Sequence, residues 1–114
     1  MPVRNDASVI ANCIDDITKQ SFENYELLIV DDGSTDETPH ILEKAKGRDS
    51  RVRIIRTSAN GIVSALNTGL AECKGDYIAR MDADDRMKKT RLGKQHEFMQ
   101  ENPELDLIGC RVEG

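Results

Sequence analysis

Apolar positions fall along this chain in two alternating rhythms. Val9, Ile10, Cys13, Ile14 and Ile17 recur at helical spacing, with Asp6 placed to cap the helix they predict. A compact apolar run from Glu26 to Val30 follows and has the length and β-branching of a buried strand. Ser34 and Glu37 have capping-box spacing. They predict a second helix with Pro39 in its first turn, Ile41, Leu42 and Ala45 on its apolar side, and Gly47 at its end. Val52 to Arg56 predicts a strand. Ile62, Val63, Leu66, Leu70 and Cys73 predict a third helix with Gly75 at its C-cap. Asp76 to Met81 predicts a strand. Thr90 caps a fourth helix carrying Leu92, Gln95 and Met99, stopped before Pro103, and Leu105 to Cys110 reads as a last strand.

Helices and strands thus alternate, which predicts an α/β fold: a mostly parallel sheet with right-handed helical crossovers. The opening Met1-Pro2-Val3-Arg4-Asn5-Asp6 resembles the exit of a strand whose body is almost absent. The expectation is a single domain, residues 1–114, truncated at one or both ends. A sheet lacking most of an internal strand exposes unpaired edges, so self-association through the incomplete sheet is expected unless a monomer closes the gap.

Two acidic clusters carry the candidate chemistry. Asp31-Asp32-Gly33-Ser34 ends the first predicted strand, and Asp82-Ala83-Asp84-Asp85 ends the third. In a parallel sheet both would lie at the carboxyl edge, where open α/β sheets bind ligands. Asn60-Gly61 stands at a third strand exit. Alone, each cluster equally suits a solvated turn or a helix cap. Together at one edge they favour a ligand site: a divalent cation held by a few carboxylates and by substrate phosphates.

Composition narrows the field. The 114 residues carry 16 Lys+Arg against 21 Asp+Glu, a net charge of −5, so no basic excess exists to meet a nucleic-acid backbone. Cys13, Cys73 and Cys110 are odd in number and lack C-x-x-C spacing, which suits reduced thiols in a cytoplasmic protein. No run reaches transmembrane length. The chain contains no G-x-G-x-x-G and no P-loop. Calcium-loop registers starting at Asp32 or Asp82 fail, because Glu37 stands where glycine is needed and Gly93 where glutamate is needed. His40 and His96 lack metal-ligand spacing and are expected as exposed helix residues. Lys88, Lys89, Arg91 and Lys94 suit a solvated helix face, or a basic group near a diphosphate.

Pro2-Val3-Arg4-Asn5 and the run from Ser21 to Asp36 resemble the family 2 inverting glycosyltransferases. Ala65-Leu66-Asn67-Thr68-Gly69-Leu70, the run from Gly75 to Asp85, Arg91-Leu92-x-x-Gln95 and Asn102-Pro103-Glu104-Leu105 continue the likeness to the end of the chain. The resemblance implies a partial GT-A fold, a nucleotide-diphosphate-sugar donor with UDP as the default, and Mn²⁺ or Mg²⁺. It implies that Asp31 binds the base, that Pro2 and Arg4 line the nucleotide pocket, that Asp82 meets the ribose or a metal-bound water, and that Asp84 coordinates the metal. Leu66 stands where many relatives have Arg, and Lys89 where a Pro is frequent.

An inverting transfer needs a base to take the acceptor's proton. The resemblance implies that this base, and the site for a glycan, lipid-linked or protein acceptor, lie downstream of Gly114, the last residue of the sequence. No catalytic residue is therefore expected within it. Asp85 is near the motif, but nothing assigns it that role. The chain alone is expected to transfer no sugar and to bind nucleotide weakly at most. A cytoplasmic place is implied, with peripheral attachment at the inner membrane face open to a longer protein. Two other functions fit some of these residues. A non-catalytic nucleotide-binding remnant would keep the same motifs. A phosphoacceptor receiver domain shares the acidic strand exits but lacks the later strand ending in Ser/Thr and the Lys-Pro after it.

Overall fold

The computed structural model describes residues 1–75 and 77–102. Three parallel strands, β1 (Pro2–Val3), β2 (Leu27–Asp32) and β3 (Val52–Thr57), lie in the order β1-β2-β3. Pro2 pairs with Val30, and Leu27 to Asp32 pair in step with Val52 to Thr57. Helix α1 (Ile10–Thr18) crosses from β1 to β2 and α2 (Thr38–Arg48) from β2 to β3. Helices α3 (Ile62–Glu72) and α4 (Arg91–Glu101) follow. The alternation expected from the sequence is present through α3.

Strand β2 explains the layering. All six of its residues are buried, and successive side chains point to opposite faces. Leu27 and Ile29 join Ile10, Cys13, Ile14 and Ile17 of α1 and Leu42 of α2 in the main core. Leu28 and Val30 belong to the other face, where α3 packs on β1 and β2 with Ala65 buried. Asp31 and Asp32 inherit this alternation and face opposite sides of the sheet. The stub at the N-terminus does pair: the Val30 N–H donates to the Met1 carbonyl at 2.9 Å, and the Met1 ammonium to the Leu28 carbonyl at 2.8 Å.

Several local expectations are corrected. Residues 77–81 form no strand, although Met81 is buried in the core; Tyr77 and Ile78 are exposed. A strand requires a partner, and β1 has two residues, one of them a proline without an N–H. The expected strand from Leu105 to Cys110 lies outside the described residues. So does Gly114, beyond which the catalytic base is expected. None of the predicted N-caps acts through its side chain. The Asp6 carbonyl, rather than its carboxylate, receives the first N–H groups of the α1 turn, from Val9 and Ile10. Ser34 is occupied elsewhere, and Asp36 Oδ1 accepts from the Thr38 N–H at 2.9 Å to start α2. Gly47 lies within α2 rather than after it. Helix α3 ends through an extended Cys73, two residues before Gly75. His40 is exposed as expected, but His96 is half-buried, with ring centroids 4.6 Å from Phe22 and 5.7 Å from Tyr77.

Candidate functional site

The carboxyl edge of the sheet is a set of three loops tied to one another. After β1 the chain turns through Asn5, which adopts a positive φ of 52°. Asparagine tolerates that conformation better than most residues. Asn5 Oδ1 accepts from the Thr35 N–H at 2.8 Å and the Asp36 N–H at 3.3 Å, and the Asn5 N–H donates to Ser34 Oγ at 3.0 Å. The Asp6 N–H donates to the buried Thr38 hydroxyl at 3.0 Å. These bonds join the β1 exit to the β2 exit. Gly33 then brings the β2 exit against the β3 exit. Its φ is +73°, and a Cβ there would lie 2.8 Å from the Ala59 nitrogen.

Asp32 completes the tie. Its Oδ1 accepts from the Thr57 hydroxyl at 2.7 Å and the Asn60 N–H at 2.9 Å, and its Oδ2 from the Gly61 N–H at 2.9 Å. Gly61 is the N-cap of α3, so a carboxylate from the central strand serves the start of that helix, where negative charge is favoured. The Thr57 hydroxyl, then the Asn60 and Gly61 amides, and the charge of Arg4 hold Asp32 below the usual carboxylate range. A carboxyl whose folded pKa is depressed contributes stability above its unfolded value of about 4, and that contribution fades as pH falls further. Thermal unfolding measured from pH 7 down to pH 3 should therefore show a steeper loss for the wild type than for Asp32→Asn. Equal slopes would contradict this account of the loop.

Between these loops lies a cavity of about 250 Å³ lined by Pro2, Val3, Arg4, Asp6, Asp32, Gly61, Ile62 and Ala65. The volume is below the several hundred Å³ of a full ligand pocket and suits one ring of a larger ligand. Pro2 and Arg4, both singled out in the sequence, line it. Asp31, expected at the base of a nucleotide, does not. Its side chain is on the opposite face of β2, buried, with Oδ1 accepting from the Ser34 N–H at 3.2 Å. Asp6 and Asp32 are the carboxylic residues that line the cavity, and the sequence placed Asp32 in the first acidic cluster without giving it a role of its own. Strand period puts Asp31 and Asp32 on opposite faces of β2, and the face Asp32 shares with Val30 and Leu28 is the one α3 covers in the structure.

The second acidic cluster is a turn. Asp85 N–H donates to the Asp82 carbonyl at 3.0 Å, and the Asp82 N–H to Asp85 Oδ2 at 3.1 Å. Ala83 is buried beneath it, while Asp84 and Asp85 are exposed. An Arg80 guanidinium nitrogen lies 3.4 Å from Asp82 Oδ1. Asp84 makes no hydrogen bond or ion pair among the described residues, which leaves its oxygens free to bind. The turn rests on α1, with Cys13 Sγ 3.5 Å from the Asp82 carbonyl. Burial, with Asp16 and Asp85 nearby, pushes the Cys13 thiol up to about 11, so it stays a neutral packing group. In the basic run, Lys88, Lys89 and Lys94 are exposed, but Arg91 is half-buried and donates to the Arg80 carbonyl at 3.3 Å.

No group of three or more His, Cys, Asp or Glu side chains converges as a cation site among the described residues. The donor set at Asp82 and Asp84 nonetheless fits Mn²⁺ or Mg²⁺ in kind, since these hard cations take oxygen ligands and complete their shells with water and substrate phosphates. Neither residue lines the cavity beside Pro2 and Arg4. Among the described residues no helix is long and apolar enough to cross a membrane.

A parallel α/β sheet has its loops gathered at the carboxyl edge with a small cavity there, the place where open α/β sheets bind ligands. Comparison with known proteins makes the class specific. The sequence profile of Glycosyl transferase family 2 matches residues 1–114, and the chain belongs to that family. It is 34% identical over 110 residues to the uncharacterized glycosyltransferase EpsJ of Bacillus subtilis, covering 96% of this chain and 32% of EpsJ. It is 33% identical over 110 residues to the glycosyltransferase GlyG of Streptococcus pneumoniae, covering 96% of this chain and 36% of GlyG. The chain thus spans about a third of the length of these relatives.

The fold is that of the GT-A glycosyltransferases. The crystal structure of S. aureus TarS 1-349 in complex with UDP superposes with a TM-score of 0.81 at 28% identity, covering 88% of this chain and 30% of that one. Mannosyltransferase PcManGT from Pyrobaculum calidifontis, in complex with GDP-Man and Mn²⁺, gives 0.80 at 25% identity, covering 86% of this chain and 30% of that one.

Proposed function

We propose that this chain is the donor-binding part of an inverting glycosyltransferase, taking a nucleotide-diphosphate sugar, with UDP as the default nucleotide, for transfer to a glycan, lipid-linked or protein acceptor. The observation that carries the reading is the cavity at the sheet's carboxyl edge, where Pro2, Arg4 and Asp32 meet. Solved relatives in complex with UDP, UDP-GlcNAc and GDP-Man support it.

The cavity suits the base or ribose. A carboxylate has about four acceptor positions, and Asp32 has committed three of them, leaving one on Oδ2 for a ligand N–H or hydroxyl. Arg4 is exposed at the rim and offers a guanidinium to phosphate oxygens. Asp31 acts from behind, fixing the turn at Ser34. At the acidic turn, Asp84 would hold the cation, and Asp82 would meet the ribose or water beside it. The cation, when bound, supplies charge stabilisation for the departing diphosphate. None of the described residues is assigned as the general base for the acceptor hydroxyl; Asp85 Oδ2 is engaged with the Asp82 N–H.

Calorimetric titration of UDP into the chain, with Mn²⁺ and again with EDTA, tests the donor site. Binding should be tighter with Mn²⁺, and Asp84→Ala should weaken that binding at least ~10-fold, the lower range seen even for groups that only support metal ligands. Well-folded protein that binds no UDP at millimolar concentration would overturn the reading and favour a remnant that has kept the motifs without the site.

A further inference from the structure

We propose that Asp16 and Gln20, at the end of α1, are positioning residues for the acidic turn, setting where Asp82 and Asp84 present their oxygens to the cation and the donor diphosphate. The inference rests on the proposed donor site. Between Tyr77 and Thr90 the described chain has neither strand nor helix. The backbone bond within the acidic turn, from Asp85 N–H to the Asp82 carbonyl, is local and cannot place the turn relative to the sheet. Something outside the segment has to.

The α1 end supplies it. Asp16 Oδ2 accepts from the Met87 N–H at 2.8 Å and from Arg86 Nε at 2.6 Å, and its Oδ1 accepts from the Arg86 guanidinium at 3.1 Å. One carboxylate thus takes a backbone donor and a two-point grip on the neighbouring side chain. The Arg86 bonds and the Met87 amide hold Asp16 below the usual carboxylate range. Gln20 is buried, at 5% exposure, and uses both ends of its amide. Its Nε2 donates to the Lys88 carbonyl at 2.7 Å and to the Asp16 carbonyl at 3.0 Å, while its Oε1 accepts from the Leu92 N–H at 3.1 Å. Ser21 adds its N–H to the Lys89 carbonyl at 2.9 Å. Met87 and Ala83 are buried on the same core as Cys13 and Ile17.

The segment is therefore pinned one to four residues after Asp85 by groups more than sixty positions earlier in the chain. Gln20 is buried and Asp16 half-buried, and losing either side chain leaves a backbone group of the segment, the Lys88 carbonyl or the Met87 N–H, without that partner. Groups that orient metal ligands from behind typically change metal affinity about 10- to 100-fold when removed.

The test compares Asp16→Ala, Gln20→Met and Asp16→Asn with the wild-type chain. Alanine is favoured inside a helix, and methionine fills the volume of Gln20, so both variants should fold. UDP is titrated with Mn²⁺ and with EDTA, and amide hydrogen exchange is followed at Met87 and Leu92 without metal. Asp16→Ala and Gln20→Met should weaken UDP binding about 10-fold with Mn²⁺ and leave it unchanged in EDTA. Exchange should quicken at Met87 in the first variant and at Leu92 in the second. Asp16→Asn, which keeps an oxygen for the Met87 N–H, should recover most of the affinity.

Unchanged Mn²⁺-dependent affinity in both variants would overturn the inference alone. So would an equal loss with Mn²⁺ and EDTA, which is what general destabilisation produces. A wild-type chain that binds UDP equally in Mn²⁺ and EDTA would sink the metal reading itself, and this inference with it.

Discussion

Replacing Gly33 with alanine should lower the unfolding free energy by about 2–4 kcal/mol and disrupt the cavity. A left-handed backbone costs a non-glycine residue about 1–2 kcal/mol. Gly33 has a φ of +73°, so the substitution incurs that cost at once. The added methyl would also lie 2.8 Å from the Ala59 nitrogen and 2.9 Å from its Cβ. Ala59 already has a positive φ of 58° and sits beside Asn60, whose N–H donates to Asp32. It has little room to retreat without opening the Asp32 ring of bonds. Urea unfolding monitored by circular dichroism measures the effect. A change below about 0.5 kcal/mol, the range of an ordinary surface substitution, would show that the β2 and β3 exits are not in contact.

Truncating Ile29 to alanine should cost about 2–5 kcal/mol, the range for a large aliphatic residue in a packed core. Ile29 is fully buried in the centre of β2, between α1 and α2, and is paired with Ile54. The loss is a large share of the roughly 5–15 kcal/mol that holds a typical domain folded. For a domain near 100 residues each kcal/mol shifts Tm by about 4–8 °C, so a thermal melt separates this variant clearly from wild type. An exposed apolar control, Val63→Ala on α3, should move Tm little, since Val63 is 69% exposed. If the two variants melt together, β2 is not the central strand of the core.

The sequence made some of this architecture legible and not the rest. Helices α1, α2, α3 and α4 were visible because helical spacing is written in neighbouring residues, as at Ile10, Cys13, Ile14 and Ile17. Strand β2 was visible as an apolar run, though it continues through Asp31 and Asp32. Of the caps, the sequence located Thr90 before α4 but not those of α1 and α2. Ser34 Oγ accepts from the Asn5 N–H and the Thr38 hydroxyl from the Asp6 N–H, across about thirty positions, and local spacing cannot show competition of that reach. Of the strand expected at Asp76 to Met81, the described residues 77–81 form none, for a related reason: strand formation depends on a partner, and β1 offers two residues.

The candidate site divides in the same way. Pro2, Arg4 and Asp31-Asp32 were legible as residue types at strand exits, whereas Asp82 to Asp85 follow no strand in the structure. Which of Asp31 and Asp32 enters the cavity depends on the face of β2 that α3 covers, which only the tertiary arrangement decides. The contribution of Asp16 and Gln20 lay equally hidden, since their partners are some seventy residues away.

The three tied loops also bear on how a ligand would be accommodated thermodynamically. Asn5, Gly33 and Asp32 hold the rim around Pro2 and Arg4 before anything binds. A ring entering there meets a preorganised surface and forfeits little conformational entropy of the protein. The acidic turn lies in a stretch without helix or strand. Adjustment on binding would therefore concentrate at the phosphate end of the ligand, giving that half a larger enthalpic gain offset by a larger entropic loss. A bare nucleoside and its diphosphate would differ less in affinity than their charges suggest, and more in how heat and order share it.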